Sequence, residues 1–381
     1  MKKEKWKLLF CLAAIAGSLS ACGGKTQDVS VMQETTEQTS GSHMEETESE
    51  NEKTAASDGG TYSYLTGLPI EKDKQNLRPI AVMMNNIKEG CPQAGIAKAS
   101  IIYEAPVEGR ITRLMGIFED WADIEKIGYI RSSRDYFVYC ALEYDAIYCH
   151  FGQATPYVGE LLNSDRVDNI SAAVAGIDRP APHAYHRVQE RKMPHNVITD
   201  GPDILRDVKK FGYSLTYHDN FEPKFSFMGS DDENLYQEMP DVSVIFPGGE
   251  SPDKKNGYSY VQARFEYKDG KYYRYEYGGP HIDEETGEQL CYDNVILQYC
   301  NGEVRDSNDY LAFGCHGDAG FPVQVFTKGK GISGTWTRYA DDDPAYYVDE
   351  DGNPIKLSPG KTWICIVWLD YAEDVVLKGK S

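Results

Sequence analysis

Two arginines bracket two serines in the run IRSSRD, residues 130–135, where an apolar segment gives way to a helical pattern. Arginine is disfavoured at a helix N-terminus, because the macrodipole is positive there and each misplaced cation costs roughly 0.3–1 kcal/mol. Arg131 and Arg134 at that position point to an anion. The free N–H groups of a first helical turn, the hydroxyls of Ser132 and Ser133 and two guanidiniums three residues apart would all bond a phosphate, sulfate or carboxylate. The competing reading is a capped helix. Ser132 is then the N-cap, Asp135 completes a capping-box-like pair, and the arginines pair with Glu104, Glu108 or Asp135.

Other residues extend the anion reading. Arg113 interrupts the strand-like RITRLMGIF, and a cation inside a strand needs a partner or a ligand. Glu108, in the turn before it, is placed to orient it. His150 ends the apolar run AIYCHF near the same rim, where it either helps the ligand or is satisfied by backbone. Pro182-His183, His186-Arg187 and Pro194-His195-Asn196 gather histidines and arginines in one loop-like stretch. Their spacing matches no ordered zinc pattern. A lid over the arginines, with His195 and Asn196 facing the ligand, is the preferred reading, against a plain strand start. No metal and no cofactor is expected.

No GxSxG, SxxK, P-loop or GxGxxG run stands in a strand–turn–helix setting, and Gly314-Cys315-His316-Gly317 reads as a turn. An enzyme acting on a phosphorylated polymer or pyrophosphate lipid would need a carboxylate beside the arginines, as base or Mg²⁺ ligand. Glu104, Glu108 and Asp135 are the candidates. A purely structural interaction module is the third reading.

The elements that must position these residues are those of a mixed α+β chain. Residues 79–85, 100–106, 110–118 and 146–152 read as strands. Ser132–Tyr144, Pro156–Asn163 and 202–211 read as helices, the last with Pro202 in its first turn and Gly212 as C-cap. An N-terminal α/β domain over 61–212 and a connector over 213–257 lead to a β-rich domain over 258–372. That domain opens with a hairpin turning at Asp269-Gly270, in which Tyr273, Tyr275 and Tyr277 share the face expected to pack inward. The strands 295–300, 322–327 and 362–369 follow.

The first 60 residues decide location. A basic start, MKKEKWK, precedes 12 apolar residues and Leu19-Ser20-Ala21-Cys22. That run is too short to span a bilayer, which takes about 20 residues, but it suits a signal segment. Its end resembles the bacterial lipobox, which implies diacylation of Cys22 and an anchor on the extracytoplasmic face of the cell membrane. Residues 23–60 lack the apolar side chains a core requires and read as a disordered tether. The net charge is −21, of which −17 falls on residues 61–381. So acidic a body excludes broad binding to nucleic acid. Any anion site, for instance for an anionic cell-wall ligand, must be a local basic pocket. Past Cys22 seven cysteines remain with no CxxC pair. Cys149, Cys300 and Cys365 lie in apolar runs and read as buried small hydrophobes, with a Cys291–Cys300 disulfide left open.

Several runs carry a family resemblance. RPIAVMMNN, CPQAGIAKASIIYEAPVEGRITRLMGIF, KIGYIRSSRDYF and MPHNVIT, then GGPHIDEETGEQL, NVILQYC and GNPIKLSPGKTWI, resemble in order the YerB family of Gram-positive lipoproteins. The resemblance covers roughly residues 62–370. It implies a three-layer N-terminal domain with two sheets and a helical layer, followed by a β-rich C-terminal domain. It implies no activity and no catalytic residues, so function rests on the residues themselves.

Overall fold

The structure, a computed structural model, describes residues 60–315 and 319–379. The signal segment, Cys22 and the tether lie outside the described residues. The N-terminal half runs α1 (Lys72–Gln75), β1 (Ile80–Met84), β2 (Ile101–Val107), β3 (Ile111–Phe118) and β4 (Ile127–Gly128). Then come α2 (Asp135–Leu142), β5 (Ile147–His150), α3 (Thr155–Leu162) and β6 (Asn169–Ser171). β7 (His186–Arg187), β8 (Val197–Thr199) and α4 (Gly201–Phe211) complete it.

One ten-stranded sheet crosses both halves of the sequence. Its order is β6-β5-β1-β3-β2, then the C-terminal strands Thr362–Trp368, Asn294–Cys300, Ala319–Thr327, Lys330–Thr337 and Tyr346–Asp349. β2 pairs in parallel with Thr362–Trp368 over Ile101↔Thr362 to Glu104↔Cys365, and this seam joins the two family-like halves. β1 and β2 are buried at every residue, as continuous apolar runs covered on both faces should be.

Each face has its own core. On one side, Ala81 and Met83 of β1 pack with Tyr136, Phe137, Val158 and Leu162 of α2 and α3. On the other, Ile80, Val82 and Met84 meet Ile127 of β4, Val197 of β8 and Ile204 and Val208 of α4. These are the three layers the resemblance implied: helices, the large sheet, and the small sheet β4-β8-β7 with α4. A second, six-stranded sheet built from residues 244–292 and 376–378 packs through Phe265, Tyr272 and Tyr292 into that second core. The sequence-read connector 213–257 supplies one of its strands, Val244–Phe246.

α4 forms where expected. The Asp200 side chain accepts from the Asp203 N–H at 2.8 Å, and Gly212 closes the helix at φ 76°. α2 begins three residues later than expected, with Arg134, not Ser132, at the N-cap and no side-chain cap. The tyrosine face is also reversed. Along Lys271–Glu276 the buried residues are Tyr272, Arg274 and Glu276, while Tyr273 and Tyr275 are half-buried. The reason is a buried acceptor for the arginine, Glu104. All seven described cysteines are free, and Cys291 and Cys300 lie in different sheets, so the open Cys291–Cys300 disulfide is not formed.

Glu104 of β2 is wholly buried. Arg274 Nη2 reaches its two oxygens at 3.1 and 3.0 Å, Thr112 donates at 2.7 Å and the Trp363 indole at 3.1 Å. Removing one partner of such a pair strands the other charge in the core, at a cost on the order of 3–5 kcal/mol. Arg274→Met should therefore lower stability by about that amount in denaturant unfolding. Because the pair joins both halves, fluorescence and circular dichroism should report one coincident transition; two resolved transitions would contradict a shared core.

Candidate functional site

The arginine segment lies across the ends of β1 and β5. The Arg131 N–H donates to Met83 O at 3.0 Å, the Phe151 N–H to Arg131 O at 3.1 Å and the Ser133 N–H to Gly152 O at 2.8 Å. Residues 130–133 are thus pinned as an extended strip. The approach is close: a Cβ on Gly152, which sits at φ +93°, would stand 2.6 Å from Ser132 Oγ. The positive φ is what calls for glycine there, and the hydroxyl contact tightens the fit.

Three guanidiniums converge on this strip. Arg134 Nε and Nη2 fork onto Glu108, with the Nε contact at 3.1 Å, and its Nη1 donates to Ser133 O at 2.6 Å. Tyr310 from the C-terminal half lies 5.1 Å from its guanidinium carbon. Arg113 Nη1 donates to Ser132 O at 2.9 Å, and its Nη2 stands 3.9 Å from Glu108. Burial, then the charge of Arg134, lowers the Arg113 pKa to about 9. Arg131 is the least satisfied. One nitrogen makes a long 3.4 Å contact to Pro194 O, and its buried Nε has no hydrogen-bond partner. Burial and the Arg134 charge push its pKa down. Glu108 is the carboxylate that Arg134 and Arg113 share; burial opposes its ionisation, but the two guanidiniums together hold it below the usual range.

His195 stands beside them. The Ile87 N–H donates to Asn85 Oδ1 at 3.3 Å, which turns the Asn85 amide nitrogen onto His195 Nδ1 at 2.8 Å. The imidazole proton is therefore on Nε2. Burial and then the Arg131 charge lower the His195 pKa, keeping the ring a neutral donor. The loop 188–196 that carries it leans on Arg131 through Pro194. Arg191 staples the loop down, donating to Glu89 O, Cys91 O and Pro92 O at 2.9–3.2 Å and to Glu284 at 2.6 Å.

The other sequence candidates are engaged inside the fold. His150 is fully buried between Gly152 O at 2.7 Å and the Asn169 side chain at 2.8 Å, and burial lowers its pKa to about 4. Ser133 is buried and accepts the Tyr148 hydroxyl at 2.9 Å. Ser132 Oγ turns to Phe151 O at 3.3 Å, so Ser132 contributes its carbonyl to Arg113 rather than a hydroxyl to a ligand. Asn196 closes the β7–β8 hairpin, accepting from Arg187 at 2.6 Å and donating to Val188 O at 3.0 Å. The side chains the structure brings together are thus Arg113, Arg131 and Arg134 with Glu108 and His195, and these form the candidate site. Tyr310 and Asn85 were missed: neither SNDYLAF nor VMMNN carries a recognisable motif. His186, Asp200 and Asp203 bring ligand atoms within 4.8 Å of one another, but Asp200 caps α4 and Asp203 pairs with Arg206.

A profile described as the N-terminal domain of DUF3048, a family of proteins of unknown function, matches residues 65–214. Its C-terminal counterpart matches residues 253–364. The chain belongs to this family. It is 29% identical over 303 residues to YerB of Bacillus subtilis (strain 168), a protein named as a candidate lipoprotein, covering 80% of this chain and 85% of the relative. The crystal structure of the Bacillus subtilis YerB protein superposes with a TM-score of 0.69 at 26% identity, covering 84% of this chain and 99% of that one. In this DUF3048 chain the arginine strip and the loop over it fall inside the N-terminal match, whereas Tyr310 comes from the C-terminal one.

Beneath the rim lies a titrating group. Glu276 Oε2 and His281 Nδ1 stand 3.4 Å apart, both buried and without hydrogen bonds. Gln93 Oε1 takes the proton on His281 Nε2 at 2.6 Å, so Nδ1 presents a lone pair to the carboxyl. Burial raises the Glu276 pKa to about 7. The folded state then holds this proton more tightly than the unfolded chain, whose glutamate titrates near 4.3. The stabilisation is complete at low pH and is lost as pH rises through 7. His150 acts with the opposite sign: its depressed pKa favours the fold above about 6.5, a gain lost as pH falls toward 4. Glu276→Gln should therefore gain stability relative to the parent as pH rises from 5 to 8, by roughly 3 kcal/mol at most. Thermal melts across that range check it, and parallel curves would refute it.

Proposed function

We propose that this chain is a lipid-anchored extracytoplasmic protein of the cell envelope that binds an anionic ligand at Arg131, with Arg113, Arg134 and His195 around it. The carrying observation is electrostatic. Three guanidiniums gather where one carboxylate pairs with two of them, in a chain of net charge −21, and the third, Arg131, keeps a buried Nε without a hydrogen-bond partner. A buried donor left unmade costs about 1–3 kcal/mol, which a bound oxyanion removes. The lipobox-like LSAC run and the lipoprotein naming of the Bacillus relative support the location. In that setting an anionic cell-wall polymer segment is the fitting ligand class.

The binding reading is favoured over an envelope enzyme because the carboxylates an enzyme would need are engaged. Glu104 is held by Arg274, Asp135 pairs with Arg305 at 2.5 Å and Glu108 is forked by Arg134.

Titration calorimetry with a soluble glycerol-phosphate oligomer and with inorganic pyrophosphate tests the site. Arg131→Ala should weaken binding by about 1.5–3 kcal/mol per lost charge-assisted bond and leave the melting temperature nearly unchanged. Added salt should weaken binding further. Equal affinities for parent and variant would sink the reading. Arg134→Ala should instead destabilise the fold, because it strands Glu108. The anchor is tested separately: Cys22→Ala should move the protein from the membrane to the soluble extracytoplasmic fraction, and full membrane retention would refute it.

A further inference from the structure

Three of the buried cysteines meet in one place. Cys300 ends the strand Asn294–Cys300, and Cys315 follows the short hairpin of Gly302–Val304 and Leu311–Phe313. Their sulfurs are 3.7 Å apart, and both residues are fully buried. The hairpin register explains the contact. Gly302 lies opposite Phe313, and the Gly314 N–H donates to Asn301 O at 3.0 Å one step beyond. Cys300 and Cys315 follow at the base of this ribbon, where the Cys315 N–H turns back to Phe313 O at 2.9 Å and sets its sulfur against that of Cys300. Cys140 of α2 also lies within hydrogen-bond reach of Cys315, but on a helix outside this register.

We propose that Cys300 and Cys315 are a redox-modification site, converted to a cystine by a disulfide-bearing oxidant. The thiolate of one attacks the oxidant's S–S bond, forming a mixed disulfide and expelling one oxidant thiol. The second protein thiol, once deprotonated, attacks the mixed disulfide and expels the other. Two protein S–H bonds are lost, one S–S bond forms, and the oxidant leaves as two thiols that carry both protons. Access comes through the hairpin. Its two strands pair only with each other among the described residues, and a two-stranded ribbon is marginal alone, so local opening bares the sulfurs. The cystine fastens residues 302–313 at their base. That hairpin carries Arg305, paired with Asp135, and Tyr310, stacked on Arg134. The redox step itself is independent of the anion reading.

The test uses the folded chain and oxidised glutathione as the probe. After incubation and quenching with an alkylating reagent, unreduced peptide mapping should find Cys300 linked to Cys315, with two fewer free thiols and two hydrogens lost from the intact mass. Amide exchange across 302–313 should slow by roughly tenfold or more, as expected for a closed loop of this size. Cys315→Ala should abolish the linkage, and Cys91→Ala should leave it intact. An unchanged thiol count would overturn the proposal and make these sulfurs ordinary core. Linkage of Cys315 to Cys140, or glutathione carried only on Cys91 or Cys291, would overturn it as well.

Discussion

The buried pair of Glu104 and Arg274 is the constraint on which the other contacts rest. A carboxylate and a guanidinium taken out of water each lose several kcal/mol of hydration, and attraction alone rarely recovers that. Here the remaining lone pairs of Glu104 are filled by Thr112 and the Trp363 indole, and Asn86 stands 3.4 Å away. The aromatic walls close the site: Arg274 lies 5.0 Å from both the Phe265 and Trp363 rings. The partners come from both halves of the chain, so neither half folds around its own charge without the other. This agrees with the parallel seam between β2 and Thr362–Trp368, on which Glu104 itself lies.

The same network reaches the arginine site through the 85–93 loop. Asn86 bonds Thr112 at 2.7 Å, Gln93 donates to Asn85 O at 2.7 Å, and Asn85 orients His195. Buried amides held by specific partners in this way tie the geometry of the rim to the core beneath it. The rim is therefore built from beneath. Arg131 and His195 sit on a strip and a loop that are loose in sequence terms, yet both are tied to the buried network.

Much of the fold was legible. The apolar runs that became β1, β2, β3 and β5, and the caps of α4, follow from periodicity and Pro/Gly punctuation. Two features were not. The buried face of Lys271–Glu276 was misread because pattern rules exclude charge from a core, and Arg274 enters the core only because Glu104, far away in sequence, waits there. The arginine run was half legible. Its position before a helix marked it as unusual, but whether each cation meets a carboxylate depends on the β2–β3 turn, which brings Glu108 to Arg134 and leaves Arg131 out. His150 and Asn196 looked functional because polar residues ending apolar runs often are. Their hydrogen bonds to Asn169, Arg187 and Val188 are long-range or loop closures that no local pattern encodes.

The helix dipole resolves the oddity of arginine at this N-terminus. Arg134 is the N-cap of α2, yet its charge is neutralised on the outside by Glu108, while Asp135 supplies the first-turn carboxylate the dipole favours. Asp135 is in turn held by Arg305, so the helix start sits in an alternation of charges drawn from both halves. Every ion in that alternation has an opposite neighbour until Arg131. Adding a carboxylate from the protein there would close the set and leave a purely structural cluster. The chain instead presents a proline carbonyl at 3.4 Å and a neutral histidine, which accept little and repel no anion. A cluster that withholds its last counter-charge, in a chain that is acidic elsewhere, is the physical ground for proposing an anion site at Arg131 and nowhere else on the rim. The proposed site is thus marked by where positive charge is left uncompensated, not by any one motif.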